Sequence, residues 1–345
     1  MSSRPVYSIV APVFNEVGNL RRFYAEVVAA LDSTAESWEL LLVDDGSTDG
    51  SQELMLELAA ADSRLSVIGL ARNFGHQIAV TAGVDYARGQ AVILIDADLQ
   101  DPPAVIPRLI EKWRDGFQVV YAVRSERRGE SLLKRLSAKV FYRMIHRITE
   151  IDIPVDTGDF RLMDAQVAQV LRQMREHHRF VRGMTSWVGF KQTGVEYVRE
   201  QRAWGVTKYP LRKMIAFALD AVTSFSFFPL QIMIYVSFIL ASASLVVGAV
   251  ISYLRLARGE QFFGGQATTI ILLLLLSSFQ LFFLFIIGQY VARTYNESRD
   301  RPLYVVASTA GLRPAQVGTQ RVQVAPAGQQ RATEASAEET HNDDL

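Results

Sequence analysis

Residues 91–103 read AVILIDADLQDPP, and the fold turns on how that stretch is taken. Ala91–Ile95 is an unbroken apolar run, too short for a helix and without alternation. That is the pattern of a strand buried on both faces of a parallel sheet. The run stops at Asp96, and Asp98 and Gln100 follow at every second residue. In open parallel sheets ligands bind beyond the carboxyl ends of the strands, so these polar side chains stand where a ligand is expected. Two carboxylates at this spacing can share one hard divalent ion, Mg2+ or Mn2+, which completes its shell with substrate phosphates and water. Alone, an Asp-x-Asp after a strand is more often a turn or a helix cap, and its company has to decide.

Outward from this stretch the same unit recurs. Tyr7–Pro12 (YSIVAP) is a strand-like run closed by Pro12, Phe14, Asn15 and Glu16. Trp38–Val43 (WELLLV) ends in Asp44, Asp45, Gly46, Ser47, Thr48 and Asp49. Adjacent acids in that loop can accept hydrogen bonds from a base edge or from ribose hydroxyls, or can simply form a turn. Leu65–Leu70 is a further strand. Asn19–Leu31, Ser51–Ala61 and Gln77–Ala87 have helical spacing, with Asp49 set to cap the second of them. Strands alternating with helices imply an α/β, Rossmann-like open parallel sheet covered by helices on both faces.

The apolar surplus lies further along. Ser226–Leu254 and Gln266–Ala292 carry no charged residue, and Ile270–Leu276 is purely aliphatic. As a helix the first run reaches about 43 Å, beyond the roughly 30 Å of a bilayer's hydrocarbon core. The two runs read as a transmembrane hairpin over 226–254 and 266–292. The alternative, a pair of core helices of a soluble domain, is disfavoured because a soluble helix almost always shows a polar stripe. Arg199, Arg202, Lys208, Arg212 and Lys213 precede the hairpin and Arg293, Arg299 and Arg301 follow it, whereas the connecting loop has Arg255 and Arg258. The positive-inside rule then places both termini and residues 1–200 in the cytoplasm, as part of a multi-pass protein of the inner membrane. Val6–Val13 lacks the basic flank and cleavage site of a signal peptide, so none is expected. Leu132–Ile148 and Tyr209–Ser224 are amphipathic and basic, suited to the membrane interface, and 201–225 is read as an interfacial helix. The segment 307–345 is poor in aromatics and rich in small polar residues, and is expected to be a disordered cytoplasmic tail. Ala241, Ser242, Ala243, Ser244 and Gly248 would let helices pack closely, so a homo-oligomer, with a tetramer as one form, is expected.

Composition removes other classes. The 345 residues hold 36 Lys plus Arg against 36 Asp plus Glu, which argues against a nucleic-acid binder. There is no cysteine, so disulfides, thiolate zinc sites and a cysteine nucleophile are excluded. No G-x-G-x-x-G or G-x-x-x-x-G-K-[ST] is present, which disfavours dinucleotide oxidoreductases and P-loop hydrolases.

Taken together, APVFNE (11–16), VDDGSTDG (43–50), ARNFGHQIAVTAG (71–83) and IDADLQDPP (95–103) resemble glycosyltransferase family 2. DTGDFRLMD (156–164), RGMTSWVGF (182–190), TKYPLRKM (207–214) and the hairpin narrow the resemblance to polyprenyl-phosphate glycosyltransferases, relatives of dolichol-phosphate mannose synthase and most similar to the two-helix bactoprenol glucosyltransferases. The resemblance spans about residues 5–300. It implies a GT-A fold and transfer of a sugar from a nucleotide sugar to undecaprenyl phosphate at the cytoplasmic membrane face. By the same resemblance Asp96, Asp98 and Gln100 form the metal and diphosphate motif. Pro12, Asn15, Glu16 and Asp45 line the nucleoside pocket. Asp159 stands near the reacting centre, so that Asp159, Asp98 and Arg202 form the catalytic set. Arg124, Arg202 and Lys208 lie near the diphosphate or the acceptor phosphate, with Lys134 and Arg135 as further candidates for the latter. Gln201-Arg202-Ala203-Trp204-Gly205 departs from the pattern by having Ala-Trp where many relatives are smaller or polar.

A phosphate monoester is already anionic near neutral pH, so the acceptor needs no strong general base. The obstacle is the approach of one anion to another. A cation on the leaving diphosphate and basic side chains on the acceptor would offset it. Single displacement with inversion is expected. UDP-glucose is the donor by closest resemblance, and GDP-mannose, UDP-aminoarabinose derivatives, UDP-galactose and UDP-galacturonate stay open. A polysaccharide synthase would need more spans and a Q-x-x-R-W motif, which is absent. A non-enzymatic membrane scaffold is disfavoured because the acidic positions of the motifs are all retained.

Overall fold

The computed structural model describes residues 4–124, 157–198, 228–258 and 266–312. These fall into two units: a sheet domain built from 4–124, 157–198 and 302–312, and a helical hairpin within 228–301.

The sheet domain opens with β1 (Tyr7–Val13), α1 (Val17–Asp32), β2 (Trp38–Asp44), α2 (Ser51–Ala61), β3 (Leu65–Leu70), α3 (His76–Tyr86) and β4 (Ala91–Leu94). β1, β2, β3 and β4 are buried along their whole length, as continuous apolar runs between two helical layers should be. A single 3-10 turn (Pro103–Val105) leads into α4 (Ile106–Arg114), followed by β5 (Val119–Arg124). After 125–156 come β6 (Thr157–Asp164), α5 (Ala165–Gln173), α6 (Val181–Trp187) and β7 (Gln192–Tyr197). The hairpin consists of α7 (Phe228–Arg258) and α8 (Gln266–Ser298), and β8 (Val306–Ala310) closes the order.

The strands form one sheet in the order β7-β5-β6-β4-β1-β2-β3-β8. The sheet is mixed rather than parallel throughout. β1 pairs in parallel with β2 and β4, and β2 with β3. β6, however, runs antiparallel between β4 and β5. Its entry from 125–156 brings Thr157 to the carboxyl end of the sheet, so its first residues stand beside the ends of β4 and β5. One core face is filled from α1 and α4 through Leu20, Phe23, Ile106 and Leu109, and the other from α3 and α5 through Val80, Val84, Val167 and Leu171.

The segment expected to be disordered from 307 begins as structure. β8 pairs antiparallel with β3, Ser308 opposite Gly69. Leu303 and Val306 are buried, and the Tyr304 hydroxyl donates to Asp85 Oδ2 at 2.7 Å. Apolar anchors three residues apart and pairing with an available sheet edge order this short stretch. Residues 313–345 lie outside the described residues, as do the proposed interfacial segments.

In the hairpin, α7 and α8 are each long and apolar enough to cross a membrane, with the best windows at Met233–Val250 and Leu275–Ser298. α8 continues six residues past the expected end at 292, through Arg293. Large apolar side chains such as Phe238, Leu256 and Leu281 are exposed, with Phe238 at 75%. Exposed apolar patches of this kind mark surfaces that meet a membrane or another protein.

Candidate functional site

The carboxyl ends of β1 and β2 are tied into one wall. Asp45 follows β2 and is buried; its Oδ1 accepts the Phe74 N–H at 2.7 Å and its Oδ2 the Gly75 N–H at 3.0 Å. Burial pushes its carboxyl up, and the two N–H groups work against that. Asp45 therefore anchors the loop that leads into α3. Gly46 turns with φ +75°, and a Cβ there would lie 2.8 Å from the Arg72 carbonyl carbon and the Asn73 nitrogen, so the two loops touch backbone to backbone. Asn15 has left-handed backbone; its N–H donates to Ser47 Oγ at 3.0 Å and its Oδ1 accepts the Thr48 N–H at 2.8 Å. Glu16 Oε2 accepts from Asn19 Nδ2 at 2.6 Å. Pro12 lies within β1 opposite Val43. Asp49 is not the N-cap of α2, a place held by Gly50; it accepts the Ser51 N–H at 3.0 Å and the Val17 N–H at 3.1 Å, joining the starts of α1 and α2.

Asp96 and Asp98 follow β4 in a turn whose centre is Leu99. Leu99 has φ +60° with its side chain 3% exposed, so the core holds it in a backbone form that side chains rarely adopt. With Leu99 anchored inward, Asp96, Asp98 and Gln100 are left half-buried around it. The Gln100 N–H donates to Asp98 Oδ1 at 3.0 Å. Burial and the nearby carboxylates of Asp159, Asp101 and Asp98 push the Asp96 carboxyl up to about 6, against the pull of His76.

Asp159, the third residue of β6, is held by three side chains from two helices. Arg182 Nε of α6 donates to its Oδ1 at 2.8 Å, Gln77 Nε2 of α3 donates to its Oδ2 at 2.9 Å, and His76 Nε2 lies 3.0 Å from the same oxygen. His76 Nε2 is also 3.6 Å from Asp96 Oδ1, so the imidazole stands between two carboxylates. Although burial opposes it, Arg182 and His76 hold the Asp159 carboxyl well below the usual carboxylate range. Burial alone would depress the His76 imidazole, but Asp159 and Asp96 outweigh it and lift it to about 9. Gln77 also accepts the Val181 N–H at 2.9 Å through Oε1, which fixes the start of α6 and with it Arg182. Beneath lies the buried Arg161, drawn down to about 10 by burial; it donates to the Gly158 carbonyl at 2.9 Å and to Thr185 Oγ1.

Arg124 ends β5 beside this group. Its Nε donates to the Tyr197 hydroxyl at 3.2 Å, and one Nη lies 3.7 Å from Asp101 Oδ2. Arg202, Lys208, Lys134 and Arg135 lie outside the described residues.

Among the described residues no three His, Asp or Glu side chains gather as a ready-made metal-ligand set. The loop itself offers two carboxylates and the amide of Gln100. That all-oxygen set fits a hard cation that draws the rest of its shell from phosphate and water.

Comparisons with known proteins give the family. The family model described as "Glycosyl transferase family 2" matches residues 8–172. "Uncharacterized glycosyltransferase YkcC" of Bacillus subtilis is 46% identical over 90% of this chain and 96% of its own length. The chain belongs to glycosyltransferase family 2. The "Prophage bactoprenol glucosyl transferase homolog" of Escherichia coli is 38% identical, over 87% of this chain and 97% of its own. The "Bactoprenol glucosyl transferase" of Shigella phage SfV is likewise 38% identical, over 87% and 97%. This glycosyltransferase therefore has the expected enzyme class, and its open mixed sheet ending in Asp96 and Asp98 is the expected GT-A fold.

The structure brings Asp96, Asp98, Gln100 and Asp159 to one end of the sheet, with Asn15, Glu16 and Asp45 at the ends of the adjoining strands. Sequence reading missed His76, Gln77 and Arg182. The first two stand in the quoted motif ARNFGHQIAVTAG and the third opens RGMTSWVGF, but no spacing rule links positions 76, 159 and 182 before β6 is known to lie beside β4.

Proposed function

We propose that this glycosyltransferase moves glucose from UDP-glucose to undecaprenyl phosphate at the cytoplasmic face of the inner membrane, with inversion at the anomeric carbon. The observation that carries the reading is the half-buried Asp96–Asp98 loop past β4, with Asp96 3.6 Å from a His76 that also meets Asp159. The names of the 38% identical relatives support the lipid acceptor and the glucose. The two long apolar helices support a membrane-anchored chain, as a lipid-borne substrate requires.

Asp96 and Asp98, with Gln100, would hold Mg2+ or Mn2+. When bound, the cation offsets charge on the departing diphosphate. Asn15, Glu16 and the loop anchored by Asp45 enclose the nucleoside. Asp159 stays ionised and so faces the positive charge that grows on the sugar carbon as its bond to the diphosphate lengthens. His76 and Arg182 fix its direction. The acceptor oxygen arrives deprotonated, and Arg124, Arg202 and Lys208, with Lys134 and Arg135, orient it and offset its charge. The other nucleotide sugars weighed above differ in pocket shape, which the motifs do not encode.

The test is transfer of radiolabel to the organic phase, with the purified enzyme in detergent, Mn2+, undecaprenyl phosphate and each labelled nucleotide sugar in turn. UDP-glucose is expected to give the highest kcat/KM. A higher value with another donor overturns the choice of sugar, and no transfer with any donor overturns the reaction.

A further inference from the structure

The two basic segments of the proposed acceptor site spring from one place in the sheet. β5 ends at Arg124 and is followed by the segment holding Lys134 and Arg135; β7 ends at Tyr197 and is followed by the segment holding Arg202 and Lys208. β5 and β7 are parallel, and Arg124 and Tyr197 are register partners. Both are tied to Asp101, which closes the loop that starts at Asp96. The Tyr197 hydroxyl donates to Asp101 Oδ1, the Arg124 Nε donates to that hydroxyl at 3.2 Å, and an Arg124 Nη lies 3.7 Å from Asp101 Oδ2. Asp101 has no exposed surface. A buried carboxylate persists only where donors compensate it, so the three side chains hold one another in place. The surroundings are cut to fit. A Cβ on Gly158 would lie 2.7 Å from an Arg124 Nη, and Phe160 packs edge-on against the Tyr197 ring at 6.1 Å.

We propose that Asp101, Tyr197 and Arg124 form a latch that sets the roots of the two acceptor-side segments against the donor-side loop, with Tyr197 as its positioning residue. The latch rests on the lipid-phosphate reading above. It differs from that reading in what it controls, namely placement of the acceptor rather than donor affinity or the identity of the reaction.

The test is Tyr197→Phe, which removes the hydroxyl and keeps the ring on Phe160. With the full-length enzyme in detergent, KM is measured separately for undecaprenyl phosphate and for UDP-glucose, alongside the unfolding temperature. The expected result is an acceptor KM raised about tenfold, as for loss of a hydrogen bond to a charged group, with the donor KM changed by less than about twofold. Tyr24→Phe is the control: it removes a similar hydroxyl-to-carboxylate bond, to Asp62 at 2.7 Å, on α1, and should leave both KM values unchanged. An unchanged acceptor KM in Tyr197→Phe overturns the proposal. So do two KM values that rise together with a lowered unfolding temperature, which would mean a merely structural role. Should Tyr197→Phe not fold, Asp101→Asn read in the same way decides. Hydrogen exchange of 119–124 and 192–197 tests the latch without catalysis: faster exchange in Tyr197→Phe supports it, and unchanged exchange overturns it. If the wild-type enzyme transfers nothing to undecaprenyl phosphate, the acceptor reading fails, and exchange alone decides the latch.

Discussion

Asp159 is kept charged by Arg182 and His76 and kept in one direction by Gln77. Asp159→Asn preserves the shape and loses the charge. We expect kcat at saturating substrates to fall by about 100-fold, the size of effect seen when one group facing developing charge is removed. UDP binding, measured by calorimetry, should be little changed. Gly46 supports the neighbouring wall with φ +75° and backbone 2.8 Å from where a Cβ would be. Gly46→Ala should cost about 1–3 kcal/mol, because strain and a backbone clash add, and should weaken UDP binding as well as lower the unfolding temperature. At this scale the place of a candidate residue in the fold was legible when its neighbours in the chain decide it. Asp96 and Asp98 were legible because they follow one buried strand at fixed spacing. His76, Gln77 and Arg182 were not, because their chemistry is created by three elements meeting at Asp159.

Elements were legible where burial alone dictated them. β1 through β4 are mostly apolar and buried from end to end, and no amphipathic helix or solvated turn competes for such runs. β6 begins Thr-Gly-Asp and β8 reads Val-Ala-Ser-Thr-Ala, so neither announces itself; each is a strand because a partner edge is available. Ending the chain after Arg301 removes β8 together with the buried Leu303 and Val306. It should cost about 3 kcal/mol, from the side chains returned to water, and be read as a lowered unfolding temperature. The turn between α2 and β3 carries a pH signature. Arg64 donates to Asp62 through Nε and Nη2, at 3.0 and 2.8 Å, and holds its carboxyl down at about 2. A carboxyl depressed in the folded state stabilises fully above its ordinary value near 4, and that contribution fades as pH falls through about 2. Melting curves of wild type and Asp62→Asn should therefore differ most at neutral pH and converge on acidification between those values.

At the scale of the whole molecule, a glycosyltransferase sheet domain and an apolar hairpin share one chain, and the chain returns from α8 to add β8 to the sheet. The hairpin was legible from two uncharged runs. The return strand was not, since residues 302–312 have neither length nor amphipathic pattern. In the proposed reaction Asp96 and Asp98 grip a cation, and through it a sugar diphosphate, for attack by a lipid phosphate. The most direct measurement is release of UDP from UDP-glucose by the purified enzyme, with and without Mn2+ and undecaprenyl phosphate, in wild type and Asp98→Asn. Release is expected only when the metal and the lipid phosphate are both present, with a loss of at least about 100-fold in Asp98→Asn. Release that persists in a metal chelator, or that is undiminished in Asp98→Asn, would contradict it.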